Sequence, residues 1–434
     1  MGTDKTRKKF FYGWIIVIGM MFAFGSAQVI GANALNLYYG FYGQEFGIGP
    51  AELGVISGMV FWVQFIFAVA AGVLIDRIGV RWVLFIGAVL FVVSQLLTTL
   101  VANNFIQILA FALLAGVASA FIGVMTLQVL ARRWFFKSAG LASGLIYCTT
   151  GIFQGIFFPL LAQLAVVNGW RMTWTVQTII TAAVFVVAIL ITRESPREMG
   201  LNPDGVSDEE FKKTFEAMGD TDEMPYMTRK EALKSRQFWA FSILVGFVTF
   251  ADFGVIMNVT PIAMSVGIQA TVAAGAMSFY AFATVIGQIV LGYLGDRYGR
   301  VRIIKIVVLF LAAVFLFAFF FVKNDVSLYV FLIVSGLAMS VCFVYNGPLM
   351  GDMFGVKYLG SINGVSLLVG GVIGGIGIMT AGLIAGATGS YHDFFLVGII
   401  LYVIAFLLAL LLKPTKVQIA CAKGKKSGEM KINA

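Results

Sequence analysis

The sequence predicts an all-α polytopic membrane protein with twelve transmembrane helices in two homologous six-helix bundles, and three observations carry that reading. Of 434 residues, 60% are hydrophobic and only 12% charged, against about 25% charged in a soluble domain. Apolar runs of roughly 20 or more residues recur, each long enough at 1.5 Å per residue to cross a ~30 Å hydrocarbon core. They are too long and too uniformly apolar for barrel strands. Third, the chain repeats itself at an offset of 220 residues. Gly72, Asp76, Arg77 and Gly79 return as Gly292, Asp296, Arg297 and Gly299, and Gly116, Gly140, Gly144, Gly151 and Gly155 as Gly336, Gly360, Gly364, Gly371 and Gly375. Nine identities on one shift imply two homologous halves, a plan common among secondary transporters.

Taken in order, the first helix is predicted at 11–38. The basic stretch Lys5-Thr6-Arg7-Lys8-Lys9 precedes it as in a signal peptide, but the run is too long and lacks an Ala-x-Ala-like site, so it stays uncleaved. Helices follow at 51–75, 81–102, 105–131, 139–165 and 170–192. The segment 193–236 then holds Pro196, Pro203 and Pro225 with eight basic and eleven acidic residues. That composition marks a polar linker, with a surface helix near 207–218. The second half has helices at 237–264, 270–295, 301–322, 327–351, 358–386 and 391–412. The predicted organisation is therefore an N-terminal bundle (1–192), a cytoplasmic linker (193–236), a C-terminal bundle (237–413) and a basic tail (414–434).

The net charge of +9 is read by location. Twenty-eight of the 30 Lys and Arg fall on one side of the predicted membrane, leaving Arg171 and Lys323 on the other. Basic residues beside helix ends stay cytoplasmic, which puts both termini inside and makes the basic excess topological rather than a nucleic-acid footprint. Cys148, Cys342 and Cys421 suggest no pairing.

Glycines four apart recur on the fifth and eleventh helices (Gly140/Gly144, Gly151/Gly155, Gly360/Gly364, Gly371/Gly375). Such spacing clears a face for close helix packing. Twelve helices in two repeats, with Gly-x-x-x-Asp-Arg-x-Gly after the second and eighth, resemble the major facilitator superfamily. Phe11-Tyr12-Gly13-Trp14, Arg133-Trp134-Phe135 followed by Gly140-Leu141-Ala142-Ser143-Gly144, and Gln237-Phe238-Trp239 are similar to its bacterial monocarboxylate and oxalate:formate porter branch. The resemblance implies the major facilitator fold, transport by alternating access and a gating role for the repeated motif. A cytoplasmic gate is accordingly expected from Gly72, Asp76, Arg77, Arg132, Arg133, Gly292, Asp296 and Arg297. Helix N-termini attract anions, so Asp76 is expected beside the start of the eleventh helix and Asp296 beside the start of the fifth.

Asp252 stands apart, because the other 20 acidic residues fall in loops, termini or helix ends. It lies well inside the span Phe241 to Met257, with no Lys or Arg inside any helix to pair with it. A charge there is costly, which leaves a proton carrier, a counter-ion for a cationic solute or a neutral structural acid. Polar side chains at helical spacing outline a central cavity: Gln28 and Asn36; Tyr147 and Gln154; Tyr280, Thr284 and Gln288; Tyr345 and Asn346; and Ser366. The branch pattern fails at Gln288, where carboxylate-binding relatives carry arginine, and around Ser366, where some carry lysine. A desolvated dianion would then go unmatched.

The expected function is secondary active transport of a small organic solute, a monocarboxylate moved with protons, by a monomer in the plasma (inner) membrane. A neutral or amine-bearing solute, an antiporter, and a transporter-like sensor remain as alternatives. No P-loop, metal-ligand cluster or nucleophile–base pair occurs, and His392, the sole histidine, sits at an outer helix end. No enzymatic activity, cofactor or metal is therefore expected.

Overall fold

The computed structural model describes residues 11–32, 37–135, 139–206, 226–355 and 358–412. Among them the chain is helical, with no strand. In the first half α1 is Gly13–Gly25, continued by a π-helical stretch Ser26–Ala32, and α2 is Tyr39–Phe46. Then come α3 (Pro50–Ile78), α4 (Val80–Leu100), α5 (Phe105–Ile122), α6 (Val124–Trp134), α7 (Ala139–Asn168) and α8 (Trp170–Ile191). The second half holds α9 (Arg229–Lys234), α10 (Arg236–Ile256), α11 (Val259–Ser265), α12 (Ala270–Tyr298), α13 (Arg300–Phe321), α14 (Asp325–Phe354), α15 (Leu359–Thr388) and α16 (His392–Leu410). Among the described residues eleven helices are long and apolar enough to cross a membrane, and a shorter apolar stretch, Gly13–Val29, precedes them. This is the twelve-span, two-bundle fold expected. We call the side where α1 begins the terminal face and the opposite side the far face.

Most predicted boundaries fall within a few residues of those observed, and three helices differ by being broken. The first predicted helix turns π-helical at Ser26. The fourth is split at Gly123, whose backbone is extended (φ −80°, ψ −163°). There the Gly123 N–H donates to Ala120 O, and the Thr126 hydroxyl donates to Phe121 O at 2.6 Å. The seventh is interrupted between Ile256 and Val259, where the Asn258 side-chain amide donates to Gly254 O at 2.8 Å and to Ile378 O at 3.4 Å. At the second and third breaks a short polar side chain offers the backbone a competing partner. An unforeseen helix, α9, opens on a capping box between Thr228 and Glu231. The surface helix expected near 207–218 and the tail 414–434 lie outside the described residues.

The repeated motif ends in a glycine for a local reason. Gly79 and Gly299 have φ of +87° and +90° and turn α3 straight into α4 and α12 straight into α13. A side chain is disfavoured at such angles.

The halves meet along two helix pairs. α3 packs on α15 so closely that a Cβ on Gly54 would sit 2.8 Å from Gly382 Cα, and Trp62 Nε1 donates to Val372 O at 2.9 Å. α7 packs on α12, where a Cβ on Gly151 would sit 2.9 Å from Ala281 O. At the far face Leu37 and Phe158 of the first half line one small cavity with Ile256, Val259, Thr260 and Met277 of the second. Towards the terminal face a Cβ on Gly72 or Gly364 would meet open space rather than a neighbouring helix. Among the described residues the two bundles are joined from the far face to mid-membrane and open below it.

Close backbone approach at Gly382, where a Cβ would run into Pro50 O and stand 2.8 Å from Gly54 Cα, helps to close this face, so Gly382→Val should pry the far face open. With cysteine placed at Leu37, labelling by a thiol reagent in the far-side compartment should accelerate several-fold. Unchanged labelling would show that the contact is not what shuts this face.

Candidate functional site

Asp252 lies on the face of α10 turned into its own bundle and is 1% exposed. The Tyr280 hydroxyl of α12 donates to its Oδ2 at 2.9 Å. Cys342 of α14 and Tyr402 of α16 are buried in the core of the same bundle. The neighbouring Phe253 turns the other way, packing against Phe61 of α3 with ring centres 4.9 Å apart and the rings tilted by 60°. Asp252 therefore belongs to the core of the second bundle rather than to the seam between bundles.

The remaining cavity candidates divide in two. Five are engaged within the second bundle. Tyr280 holds Asp252 and accepts from Thr284 Oγ1 through its carbonyl at 2.9 Å, and Ser340 Oγ donates to Thr284 O at 2.8 Å. Tyr345 donates to Leu291 O. Ser242 Oγ donates to Ser366 Oγ at 3.0 Å, which donates to Asn346 Oδ1 at 3.4 Å. By contrast, the amides of Gln28, Gln154 and Gln288 find no hydrogen-bond partner among the described residues. Gln154 is buried, and Gln28 and Gln288 half-buried. Gln154 and Gln288 sit on α7 and α12, the pair that closes one side of the seam. Asn36 and the side chain of Tyr147 lie outside the described residues.

A family model described as Major Facilitator Superfamily matches residues 13–275 and 242–429. The chain belongs to the major facilitator superfamily. It is 26% identical to the MFS-type transporter pytF of Aspergillus terreus over 67% of this chain and 91% of that protein. It is 23% identical to the uncharacterized MFS-type transporter YhjX of Escherichia coli over 68% of each. It is 24% identical to a glycerol-3-phosphate transporter of Bacillus subtilis over 71% of this chain and 70% of that one. Among solved structures, a bacterial homolog of the human lysosomal transporter Spinster, inward-facing and unoccupied, superposes with a TM-score of 0.72. That match has 16% identity and covers 95% of this chain and 98% of that one. Membership makes the chain a membrane transporter and not an enzyme.

In this superfamily member the motif charges at the terminal face bond within their own halves. Arg300, opening α13, is held by Asp296 at 2.7 Å and Asp352 at 2.6 Å. Arg297 donates to the Tyr293 hydroxyl at 2.8 Å, and Arg77 is exposed. Asp296 is thus bonded within its own half, and the side chains of residues 139–141 at the start of α7 lie outside the described residues. The side chains of Asp76 and Arg132 lie outside the described residues. Arg133 pairs with Glu194 at 2.8 Å, and Glu194 also accepts from the N–H groups of Val80 and Arg81 at the start of α4. Sequence reading missed Glu194, although an acid just past a helix end is a ready cap for a neighbouring N-terminus. The terminal aromatic motifs meet too: Tyr12 lies 5.8 Å from Trp134 and donates to Ile191 O, while Phe238 lies 6.2 Å from Phe354, the repeat partner of Trp134.

At the far face, Arg171 takes Glu45 at 2.6 Å and donates to Thr99 O and Ala102 O, while Trp170 donates to Glu45 Oε2. This pins α2 over the ends of α4 and α8. Burial alone would raise the Glu45 pKa, but hydrogen bonds from Arg171 and Trp170 and the Arg171 charge outweigh it and hold the carboxyl below its ordinary value. Folded, the group binds fewer protons than unfolded, so its contribution is complete above the ordinary glutamate value of about 4.3 and fades as pH falls through it to the lower folded value. Below pH ~5 the melting temperature should therefore fall more steeply for the wild type than for Glu45→Gln. Parallel curves would show that the pair contributes nothing.

Proposed function

We propose that this transporter carries a small monocarboxylic acid together with a proton by alternating access, with Asp252 as the proton site. The observation that supports it most is the isolation of Asp252: a buried carboxylate whose nearest donor is the uncharged Tyr280 hydroxyl, with no Lys or Arg in the interior of any described span. Proton uptake neutralises such a group without a basic partner. The same lack of interior cations disfavours a dianion such as the glycerol phosphate named for the Bacillus relative, whose desolvated charge would go unmatched.

In this reading the bundles 1–192 and 237–413 rock against each other across the linker 193–236. The terminal face is cytoplasmic, as the placement of Lys and Arg argues, in the inner membrane of the cell, and the parted bundles present an inward-open state. Gln28, Gln154 and Gln288 offer uncommitted amides along the seam. When the cavity faces out, the repeated motif closes the inner mouth, Asp76 and Asp296 reaching the starts of α15 and α7. The protein works as a monomer.

Two measurements test this. Asp252→Asn mimics the protonated acid, so reconstituted vesicles should retain solute exchange while losing accumulation driven by a pH gradient. Wild-type accumulation by the mutant would rule out the proton role, and loss of binding itself would favour a cationic solute. Asp296→Asn should leave the fold intact and enrich inward-open states, read as slower thiol labelling at the far face during turnover. Equal labelling would remove the motif from the gate.

A further inference from the structure

The break at Gly123 has no counterpart in the second half. Position 343, 220 residues on, lies inside the continuous helix α14. A helix opened at mid-membrane exposes backbone groups that hydrocarbon cannot satisfy, and such breaks persist where they are buried in protein or line a cavity. Here α6 starts with Gly123 as its N-cap and no side-chain cap for its first amides. The Thr126 hydroxyl is turned back to Phe121 O, which satisfies a carbonyl of α5 and does not cap the opening amides of α6.

Two further polar groups sit at this depth. Tyr12 at the start of α1 contacts Trp134 at the end of α6. Counting 14 residues inward from each gives Ser26 (12 + 14) and Ala120 (134 − 14) on antiparallel segments, which at ~1.5 Å per residue share one level. Ser26 opens the π-helical stretch, a departure that concentrates at functional sites. Ser26 and Ser119, 1% and 0% exposed, each carry a hydroxyl with no hydrogen-bond partner among the described residues. A buried orphan hydroxyl costs free energy unless something binds it.

We propose that the Gly123 break is the carboxylate subsite of the transporter, in which the opening amides of α6 and the hydroxyls of Ser26 and Ser119 hold the solute's anionic group. This rests on the organic-acid reading above. A helix N-terminus carries about half a positive charge and presents N–H donors, which suits one carboxylate and not two. Solute charge is then held in the first bundle and the coupling proton in the second.

The experiment measures thermal stabilisation and vesicle uptake with the purified full chain, using sodium propionate as the anion and ethylammonium and glycerol as cationic and neutral probes. Wild type should respond to propionate alone, and Ser26→Ala/Ser119→Ala should need on the order of tenfold more propionate or higher, as expected for lost hydrogen bonds to a charged group. Gly123→Ala should lose the response as well, since its Cβ would stand 2.7 Å from Ser119 O. If the double variant melts too low to score, Ser26→Ala alone carries the same expectation at about threefold. Propionate response in wild type with an unchanged midpoint in the serine variants overturns the subsite and leaves the organic-acid reading standing. Response to ethylammonium or glycerol instead overturns both.

Discussion

Hydrocarbon offers a peptide group no partner, and almost everything in this fold follows from that. Each span satisfies its backbone internally as a helix, and where a helix is interrupted a side chain or a neighbouring element must take up the exposed groups. Asn258 does so at the α10–α11 break and Thr126 does so in part at Gly123. The same scarcity governs charge. Arg171 at the far face is surrounded by Glu45 and two carbonyls, and Arg300 at the terminal face by two aspartates.

The extent to which this was legible in the sequence differs by kind of signal. Span positions were readable because an apolar run of fixed length has no other use in a chain this hydrophobic. The repeat was readable because glycine at Gly79 and Gly299 answers a backbone demand that no other residue meets without strain. The breaks were not. Gly123 stands among many glycines in apolar sequence, and nothing local distinguishes one that opens a helix from one that lets a neighbour approach, as Gly116 does against Val60.

Candidate functional residues show the same division. Asp252 was conspicuous from sequence, because a lone acid inside a span is rare. Its direction was not readable: whether it faced the seam or its own bundle depends on how α10 is rotated, and here Phe253 takes the seam. Tyr345 shared a helical face with Asn346, and Ser366 was the lone hydroxyl of its helix, yet both bond within the bundle. Helical spacing places a residue on a stripe and leaves open which neighbour the stripe meets.

The polar linker is fastened at both ends. Glu194 binds it to the start of α4, and the Met227 N–H donates to Phe354 O at 2.8 Å at the end of α14. Between these anchors lie 33 residue steps (227 − 194). Such a length reaches ~50 Å even if wholly helical, and about twice that if extended. Neighbouring helices sit only ~10 Å apart. The covalent join is therefore long enough to cover the spacing of neighbouring helices several times over, and it keeps the two bodies at high effective concentration. Their relative position is held by the helix contacts of the seam, α3 on α15 and α7 on α12.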